Sequence, residues 1–251
     1  MSSFTFEGAS EMLQSINDLH GFAIHAEDGE IGTLEDLYFD DRHWTIRYLI
    51  VSTGNWLAGR RVLISPASAE SIDWSGHTIP VNLTCDQVRN SPDVLTKKPV
   101  SRQHEAELSA YYGWPSYWTA GPFAFEPSPL TLPVPAGTRL AVKGDPHLRS
   151  AREVKGYHIG ALDGPIGHVS DFVFDDATWE ITFMIVDAGS WLHERLVLLK
   201  PRRVAGIAWD ERTVAVNLSR EKVRTSPPFT PAFPISSEYA DELTKHYDGT
   251  S

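Results

Sequence analysis

The chain of 251 residues contains an internal duplication. Residues 21–93 align with residues 156–228 at a constant offset of 135, without a gap, and 32 of the 73 aligned positions are identical. The match continues more weakly on both sides. A repeat of this length indicates two copies of one folding module. We therefore expect a structural element or a site that belongs to the module to occur in both copies.

The extent of the match divides the chain into two repeats joined by a linker. Repeat 1 covers residues 15–112 and repeat 2 covers residues 150–247. The linker, residues 113–149, holds seven prolines interleaved with aromatic residues, a composition typical of a stiff, extended segment. An arm of residues 1–14 precedes repeat 1, and a tail of residues 248–251 follows repeat 2.

The pattern within each repeat predicts six short strands. The Asp28-Gly29 pair supplies the tight turn of a first hairpin, because glycine accepts the positive φ that such turns need. A second turn follows at Asp40-Asp41, and apolar and polar residues then alternate over residues 44–51, as in a strand with one buried face. The remaining strands are predicted near residues 62–64, 71–74 and 78–83.

Helical segments end each repeat. Thr84 and Ser219 are hydroxyl residues followed by acids, which is typical of a helix N-terminus. A second helical stretch is predicted over residues 101–112 and 236–247. Six short strands with a trailing helix favour a closed barrel, because closure removes exposed strand edges. The predicted fold class is mainly β, with two tandem small β-barrels, each followed by a short helical segment.

Composition excludes several classes of protein. Lys and Arg number 22 against 33 for Asp and Glu, and the resulting net charge of −11 opposes binding to nucleic acid. The single cysteine, Cys85, excludes an internal disulfide and a multi-thiolate metal site. The longest aliphatic runs are about four residues, too short for an integral membrane segment. The first residues lack the pattern of a signal peptide, so we expect a cytoplasmic location.

Several motifs together resemble one known family. They are Asp28-Gly29-Glu30-Ile31-Gly32, Phe39-Asp40-Asp41, the strand of residues 44–51, Trp56-Leu57-Ala58-Gly59-Arg60 and Val81-Asn82-Leu83-Thr84, and repeat 2 carries versions of them. This order resembles the PRC-barrel domain, the fold of the cytoplasmic domain of the photosynthetic reaction-centre H subunit. The resemblance covers both repeats, and residues 99–118 resemble the tail of bacterial tandem PRC-barrel proteins. It implies an assembly, adaptor or electrostatic module without shared catalytic residues.

Charged residues that match between the repeats are the candidates for chemistry. No histidine lies opposite another histidine under the offset, so we expect no catalytic, cofactor or metal site common to the two repeats. Asp36 and Asp171 interrupt a strand, where a covered carboxylate needs a partner. We interpret them as structural ion pairs or backbone caps, with the matched cations Arg60/Arg195 or Arg89/Arg224 as partners. A catalytic or ligand-binding acid is the alternative.

Matched aromatic residues are the candidates for binding a partner. Trp56 and Trp191 lie in glycine-flanked loops beside Arg60 and Arg195, and Trp and Arg are enriched at interface hot spots. The alternative is that each tryptophan plugs the end of its own barrel. The linker tryptophans Trp114 and Trp118 are further candidate contact residues. Trp44, Trp179, Trp74 and Trp209 fall within predicted strands and are expected in the core.

These observations favour a protein-interaction or scaffold module without enzymatic activity or cofactor. The ungapped duplication suggests that the barrels pack about a pseudo-two-fold axis, so that one chain imitates a homodimer. Homo-oligomer formation and the identity of the protein partner stay open. One alternative is a reaction-centre-like accessory that supports electron or proton transfer beside a membrane complex. Another is a small-ligand binder or hydrolase, which would need a pocket with convergent polar groups.

Overall fold

The computed structural model describes residues 13–92, 102–116, 147–189, 195–231 and 235–248. In the N-terminal part the elements are β1 (Leu13–Ser15), β2 (Ala23–Ala26), β3 (Gly29–Asp40), β4 (Thr45–Ser52), β5 (Arg61–Ile64), β6 (Thr78–Pro80), α1 (Cys85–Arg89) and α2 (Arg102–Tyr112). In the C-terminal part they are β7 (Leu148–Ser150), α3 (Ala151–Val154), β8 (His158–Ala161), β9 (Gly164–Asp175), β10 (Ile181–Asp187), β11 (Leu196–Leu199), β12 (Val204–Ala208), β13 (Thr213–Val216), α4 (Arg220–Arg224) and α5 (Ser237–Asp248).

The strands form two mixed sheets with corresponding orders. The first sheet runs β5-β4-β3-β2-β6, and the second runs β11-β10-β9-β8-β13-β12. In each sheet one pair is parallel, β2 with β6 and β8 with β13, and the other pairs are antiparallel. The fold is therefore mainly β, with the same arrangement in each repeat apart from β12, whose counterpart in repeat 1 makes only isolated bridges.

The two repeats exchange their first strands. β1 pairs with β9, joining Ser15 to Val173, and β7 pairs with β3, joining Ser150 to Tyr38. The two additions are equivalent, because Ser15 and Ser150 differ by the repeat offset of 135, as do Tyr38 and Val173. Thus β1, which lies at the start of repeat 1, completes the sheet of repeat 2. In the same way β7, which lies at the start of repeat 2, completes the sheet of repeat 1.

The length of the central strand explains why an added strand is needed. β3 has 12 residues, and β2 covers its edge only from Gly29 to Thr33. β7 pairs farther along, at residues 38–40 of β3. Without β7, backbone N–H and C=O groups in this part of β3 would lack ladder partners, and unpaired edges of this kind favour aggregation.

Backbone hydrogen bonds also join the sheets where the hairpin turns meet. The Ile46 N–H donates to the Trp179 carbonyl at 2.8 Å, and the Ile181 N–H donates to the Trp44 carbonyl at 2.6 Å. These two bonds are again related by the offset of 135. Trp44 and Trp179 have positive φ values of 54° and 60°, a conformation that costs a non-glycine residue about 1–2 kcal/mol. Burial of both indoles offsets this cost.

A continuous hydrophobic core runs from one sheet to the other. Phe39 of the first sheet lies 5.3 Å from Phe172 of the second, centroid to centroid, and Trp44 stacks on Phe39 at 5.4 Å. Trp74 donates from Nε1 to Asp176 at 3.0 Å, and the Arg149 guanidinium lies 5.0 Å from the centroid of the Trp209 ring. The repeats are therefore packed against each other rather than separate bodies.

Several predictions about local structure need correction. Trp44 and Trp179 are buried as expected, but they lie in the turns that precede β4 and β10 rather than within strands. Trp74 and Trp209 are only partly buried and also lie outside the strands. Residues 71–74 contribute an isolated bridge between Asp73 and Thr78 rather than a strand.

The prediction of independently closed barrels is not met either. Among the residues described, no pairing joins β5 to β6 or β11 to β12, so neither sheet closes into a ring. The exchange of β1 and β7 is incompatible with independent halves. Sequence reasoning missed it because both strands are three residues long and lie at the edges of the predicted arm and linker.

Gly32 and Gly167 are required where β3 and β9 pass their neighbouring strands. A Cβ on Gly32 would lie 2.0 Å from the carbonyl oxygen of Ser52, and one on Gly167 would lie 2.0 Å from that of Asp187. Both contacts are with backbone, which cannot rotate away as a side chain could. Only glycine therefore fits these two positions.

We expect Gly32→Ala to lower the free energy of unfolding by about 3 kcal/mol or more, because the methyl group forces the strands apart. Gly21→Ala is the matched control: Gly21 has φ of +85°, and a Cβ at this position would have no neighbouring atom within 4 Å, so only the backbone cost of about 1 kcal/mol applies. Urea denaturation measures both. Equal losses for the two variants would contradict the close approach at Gly32.

Candidate functional site

The matched aspartates of β3 and β9 bind the other repeat. Ser150 donates from Oγ to Oδ2 of Asp36 at 2.5 Å, and Ser15 donates from Oγ to Oδ2 of Asp171 at 2.5 Å. The Arg152 N–H, at the start of α3, also donates to Asp36 at 3.1 Å. The cap interpretation of these acids is thus the one their geometry supports, and serine hydroxyls and backbone N–H groups replace the expected cations.

Burial raises the pKa of both carboxyls. For Asp36 and for Asp171 desolvation is the largest cause, and the serine hydroxyl from the exchanged strand is the largest opposing one. Asp171 is 4% exposed, and its Oδ1 has no hydrogen-bond partner among the residues described. The ionised form of Asp171 is therefore held in the fold chiefly by Ser15.

The matched arginines Arg60 and Arg195 are helix caps. Arg60 donates to the carbonyls of Arg89 at 3.2 Å and Ser91 at 2.6 Å, at the C-terminal end of α1. Arg195 donates in the same way to the carbonyls of Arg224 and Ser226, at the C-terminal end of α4. These bonds satisfy carbonyls that a helix C-terminus leaves unpaired. Both guanidinium groups therefore make intramolecular hydrogen bonds that stabilise the fold, so binding a partner is not their sole role.

Arg89 and Arg224 form ion pairs within their own helices. Arg89 lies 2.5 Å from Asp86, and Arg224 lies 2.5 Å from Glu221, each three residues apart. The expectation that they pair with Asp36 or Asp171 is wrong. These pairs are exposed, so each contributes little to stability.

Trp56 is held rigidly while its ring reaches the surface. It lies in a 3-10 turn over residues 54–57, which ends at Ala58 in the left-handed conformation. Its indole Nε1 donates to the carbonyl of Ile31 at 2.5 Å, and its ring centroid lies 5.5 Å from the Arg89 guanidinium. The residue is 36% exposed. Trp56 therefore does not plug a barrel end, because its polar group is anchored and part of its apolar ring is accessible.

Tyr111 of α2 is a second exposed aromatic residue that is tied to α1. Its hydroxyl donates to the carbonyl of Gln87 at 2.9 Å, and it is 42% exposed. Trp56 reaches α1 through Arg89, and Tyr111 reaches it through Gln87. We call Trp56, Arg89 and Tyr111 the aromatic surface. Sequence reasoning did not single out Tyr111, because the residue at the matching position in repeat 2 is a histidine.

Repeat 2 keeps the framework of this surface with a different side chain. His246, at the position of Tyr111, approaches the carbonyl of Lys222 with Nε2 at 2.8 Å, as Tyr111 does with Gln87. Trp191 lies outside the residues described. The aromatic surface is therefore defined for repeat 1.

Of the two linker tryptophans, Trp114 lies within the residues described. Trp114 is 9% exposed, donates from Nε1 to Ser68 Oγ at 2.6 Å, and stacks on Tyr112 at 4.2 Å. The indole of Trp114 is therefore packed within the fold, and little of its surface is accessible to a partner. Trp118 lies outside the residues described.

Other polar candidates have structural partners. Asp40 accepts the Arg42 N–H at 2.9 Å and contacts His43 Nδ1 at 2.7 Å. Asp28 accepts the Cys85 N–H at 2.7 Å at the start of α1. Burial raises the pKa of the Cys85 thiol. In the described ranges, no group of three His, Cys, Asp or Glu residues is placed to hold a metal ion.

None of the helices within the described ranges combines the length and the apolar character that crossing a membrane requires.

We expect Ser15→Ala to destabilise the fold by about 1.5–3 kcal/mol at pH 8, because it removes a hydrogen bond to a buried carboxylate. Because the folded-state pKa of Asp171 is raised, the contribution of this carboxyl to the free energy of unfolding falls as pH rises through that pKa. Loss of the Ser15 hydroxyl raises the pKa of Asp171 further. The penalty should therefore be smaller at pH 4 than at pH 8, because a larger fraction of the carboxyl is protonated at the lower pH. Denaturation curves at both pH values measure it.

Ser75→Ala is the matched control for this prediction. Ser75 also donates to an aspartate, Asp73, at 2.7 Å, but this bond is exposed and local. We expect its loss to cost well under 1 kcal/mol. A Ser15→Ala penalty no larger than that of Ser75→Ala, or one that shrinks with rising pH, would contradict the role assigned to the exchanged serine.

The N-terminal part of the chain is similar to a known domain family. A family model described as the PRC-barrel domain matches residues 13–88, which run from β1 into α1 and include the motifs that carried the resemblance. No curated protein matches the chain. Residues 13–88 of this chain are therefore similar to the PRC-barrel domain.

Proposed function

We propose that the chain is a non-enzymatic protein-interaction module, a scaffold or adaptor, that engages its partner through the aromatic surface of Trp56, Arg89 and Tyr111. Repeat 2 is, on this proposal, a second copy of the same domain, and the two repeats act as an intramolecular pseudo-dimer. The single observation that carries the proposal is an anchored tryptophan whose ring is exposed beside an arginine.

The roles of the other matched polar residues support a non-enzymatic function. Asp36 and Asp171 accept hydrogen bonds from the exchanged strands, and Arg60 and Arg195 cap helices. Each of these side chains does the same structural task in both repeats. The retention of these four side chains in both repeats is thus explained by their roles in folding. The accessible aromatic side chains are then the candidates for binding.

The aromatic surface has the properties of an interface hot spot. Its tryptophan is fixed by a hydrogen bond to the Ile31 carbonyl, so binding costs little side-chain entropy. The indole nitrogen is already satisfied, so a partner can cover the ring without leaving a donor unpaired. Trp, Tyr and Arg are the residues most enriched at hot spots. A partner with an apolar or aromatic side chain fits this surface best.

The duplicated arrangement supports the pseudo-dimer part of the proposal. The strand pairings β1 with β9 and β7 with β3 are related by the repeat offset, as a two-fold contact between identical subunits would be. Such an arrangement gives the aromatic surface a rigid base. It also places a related but diverged surface, with His246 at the position of Tyr111, on repeat 2.

We expect Trp56→Ala to weaken capture of the partner from native lysate at least tenfold, because truncation of a central hot-spot tryptophan costs about 2 kcal/mol or more. Quantitative mass spectrometry of proteins retained by the tagged full chain measures this, with circular dichroism to check that the variant folds. Tyr111→Ala should weaken capture of the same protein.

Leu162→Ala is the matched control. Leu162 is 74% exposed and lies in the β8–β9 turn of repeat 2, away from the aromatic surface. The proposal requires capture by this variant to equal that of the wild type. If Trp56→Ala and Leu162→Ala retain the partner equally well, or if the wild-type chain retains nothing specific, the aromatic surface is not the binding site.

A further inference from the structure

Two equivalent grooves lie where each sheet meets the hairpin turn of the other repeat. The first has a volume of about 280 Å³ and is lined by the start of β4, the turn at Ser65, and Trp179 of repeat 2. The second has a volume of about 680 Å³ and is lined by the start of β10, the turn at Lys200, and Trp44 of repeat 1. Ser65 and Lys200 differ by the offset of 135, as do Trp44 and Trp179.

The residues that follow α2 occupy part of the first groove. Trp114 and Pro115, just after α2, line it, and Trp114 is buried there. Tyr48 also lines it and donates from its hydroxyl to Oε2 of Glu105, a fully buried carboxylate on α2, at 3.3 Å. An aromatic side chain of the protein itself therefore occupies part of the first groove, while the Glu105 carboxylate is fully buried and does not line it.

The second groove differs at the positions that match these groups. Phe183 replaces Tyr48, and Ala240 on α5 replaces Glu105, so neither the carboxylate nor its hydrogen-bond donor is kept. The position that matches Trp114 is Gly249, which lies outside the residues described. Partly exposed apolar side chains, including Leu13 and Val204, line the second groove, whereas Phe183 and Ile181 are almost fully buried. A groove of this volume lies within the range typical of small-molecule sites.

Cationic residues line the second groove. They are Arg42, Lys200 and Arg202, and the corresponding positions of the first groove are Ala177, Ser65 and Ala67, while the first groove has its own cation, Arg47, where the second has Thr182. Arg202 pairs with Asp248, whereas in the described part of the chain neither the Arg42 nor the Lys200 side chain has a hydrogen-bond acceptor, and Lys200 is partly buried. Burial lowers the pKa of Lys200, which means that its ammonium group has lost hydration that an anion would replace.

We infer that the second groove binds a small amphipathic carboxylate, whose apolar body lies on Leu13 and Val204 and whose carboxylate pairs with Lys200 and Arg42. The site is separate from the aromatic surface, and the inference does not depend on the proposed function.

Acidic residues in the groove do not oppose this charge pairing strongly. Asp41 is already bound by Arg149 at 2.6 Å and by His147 at 2.8 Å. Asp175 accepts the Ala177 N–H at 2.9 Å. Glu180 and Asp241 are exposed, so water screens them, although the charge of Asp241 still raises the pKa of Lys200 against the larger effects of burial and of Arg202. The partly buried cation is the stronger determinant, because electrostatic interactions are screened less where water is excluded.

The test uses the full chain and a fluorescent amphipathic carboxylate, 11-(dansylamino)undecanoic acid, with its uncharged amide as the comparison ligand. We expect saturable fluorescence enhancement, with the acid bound at least tenfold more tightly than the amide. Lys200→Ser, which installs the residue found in repeat 1, should weaken binding of the acid at least tenfold and leave binding of the amide unchanged. Ser65→Ala, in the first groove, is the matched control and should change neither.

Ala240→Glu provides a second variant, because it restores the carboxylate of repeat 1 and should block the acid by bulk and charge. Circular dichroism checks its fold, and Lys200→Ser decides the matter if it does not fold. Absence of saturable binding to the wild type, equal affinity for acid and amide, or wild-type affinity in Lys200→Ser would each overturn the inference.

Discussion

Each repeat contains one strand that is longer than its own neighbours can cover, and the architecture depends on how that edge is completed. β2 pairs with the beginning of β3, and β7, which precedes repeat 2, pairs with its end. β8 and β1 do the same for β9. Because backbone groups at a strand edge need partners, this reciprocal exchange makes each sheet dependent on the other repeat. The Ser15–Asp171 and Ser150–Asp36 hydrogen bonds fix the exchanged strands in register.

This constraint explains the structural role of the matched aspartates Asp36 and Asp171. A carboxylate that is buried in a sheet needs a hydrogen-bond donor, and the exchanged serines provide one in both repeats. Arg60, beside Trp56, caps α1 and so holds its loop against that helix. Trp56 is then presented on a rigid base, which is the condition under which an exposed aromatic residue binds a partner with small entropic cost.

The two repeats share a framework and differ at their surfaces. Apart from β12, the strand order, the helix caps and the glycines Gly21, Gly29, Gly32 and Gly54 of repeat 1 recur in repeat 2. The residues that line the two grooves differ, with Lys200 at the position of Ser65 and Ala240 at that of Glu105. Duplication followed by divergence of surfaces gives one rigid body with two kinds of exposed site, an aromatic one on repeat 1 and a cation-lined groove at repeat 2.

Much of the local structure was predictable from sequence, because turns and alternating strands depend on nearby residues. The Asp28-Gly29 turn, the hydroxyl cap at Thr84 and the helix that ends at Tyr112 are examples. The partners of Asp36 and Asp171 were not predictable, because the sequence pattern does not say which repeat a three-residue strand joins. Likewise, the exposure of Trp56 and the burial of Trp114 depend on tertiary contacts with Ile31 and Ser68.

The central claim is that the repeats hold each other together through the exchanged strands, and cutting the chain between them tests it most directly. A protease site introduced between residues 117 and 146 of the full chain, once cleaved, leaves two polypeptides without a covalent link. Size-exclusion chromatography with light scattering under native conditions should then show one species with the mass of the intact chain, 28.0 kDa. Separation into two folded species of about half that mass would contradict the account.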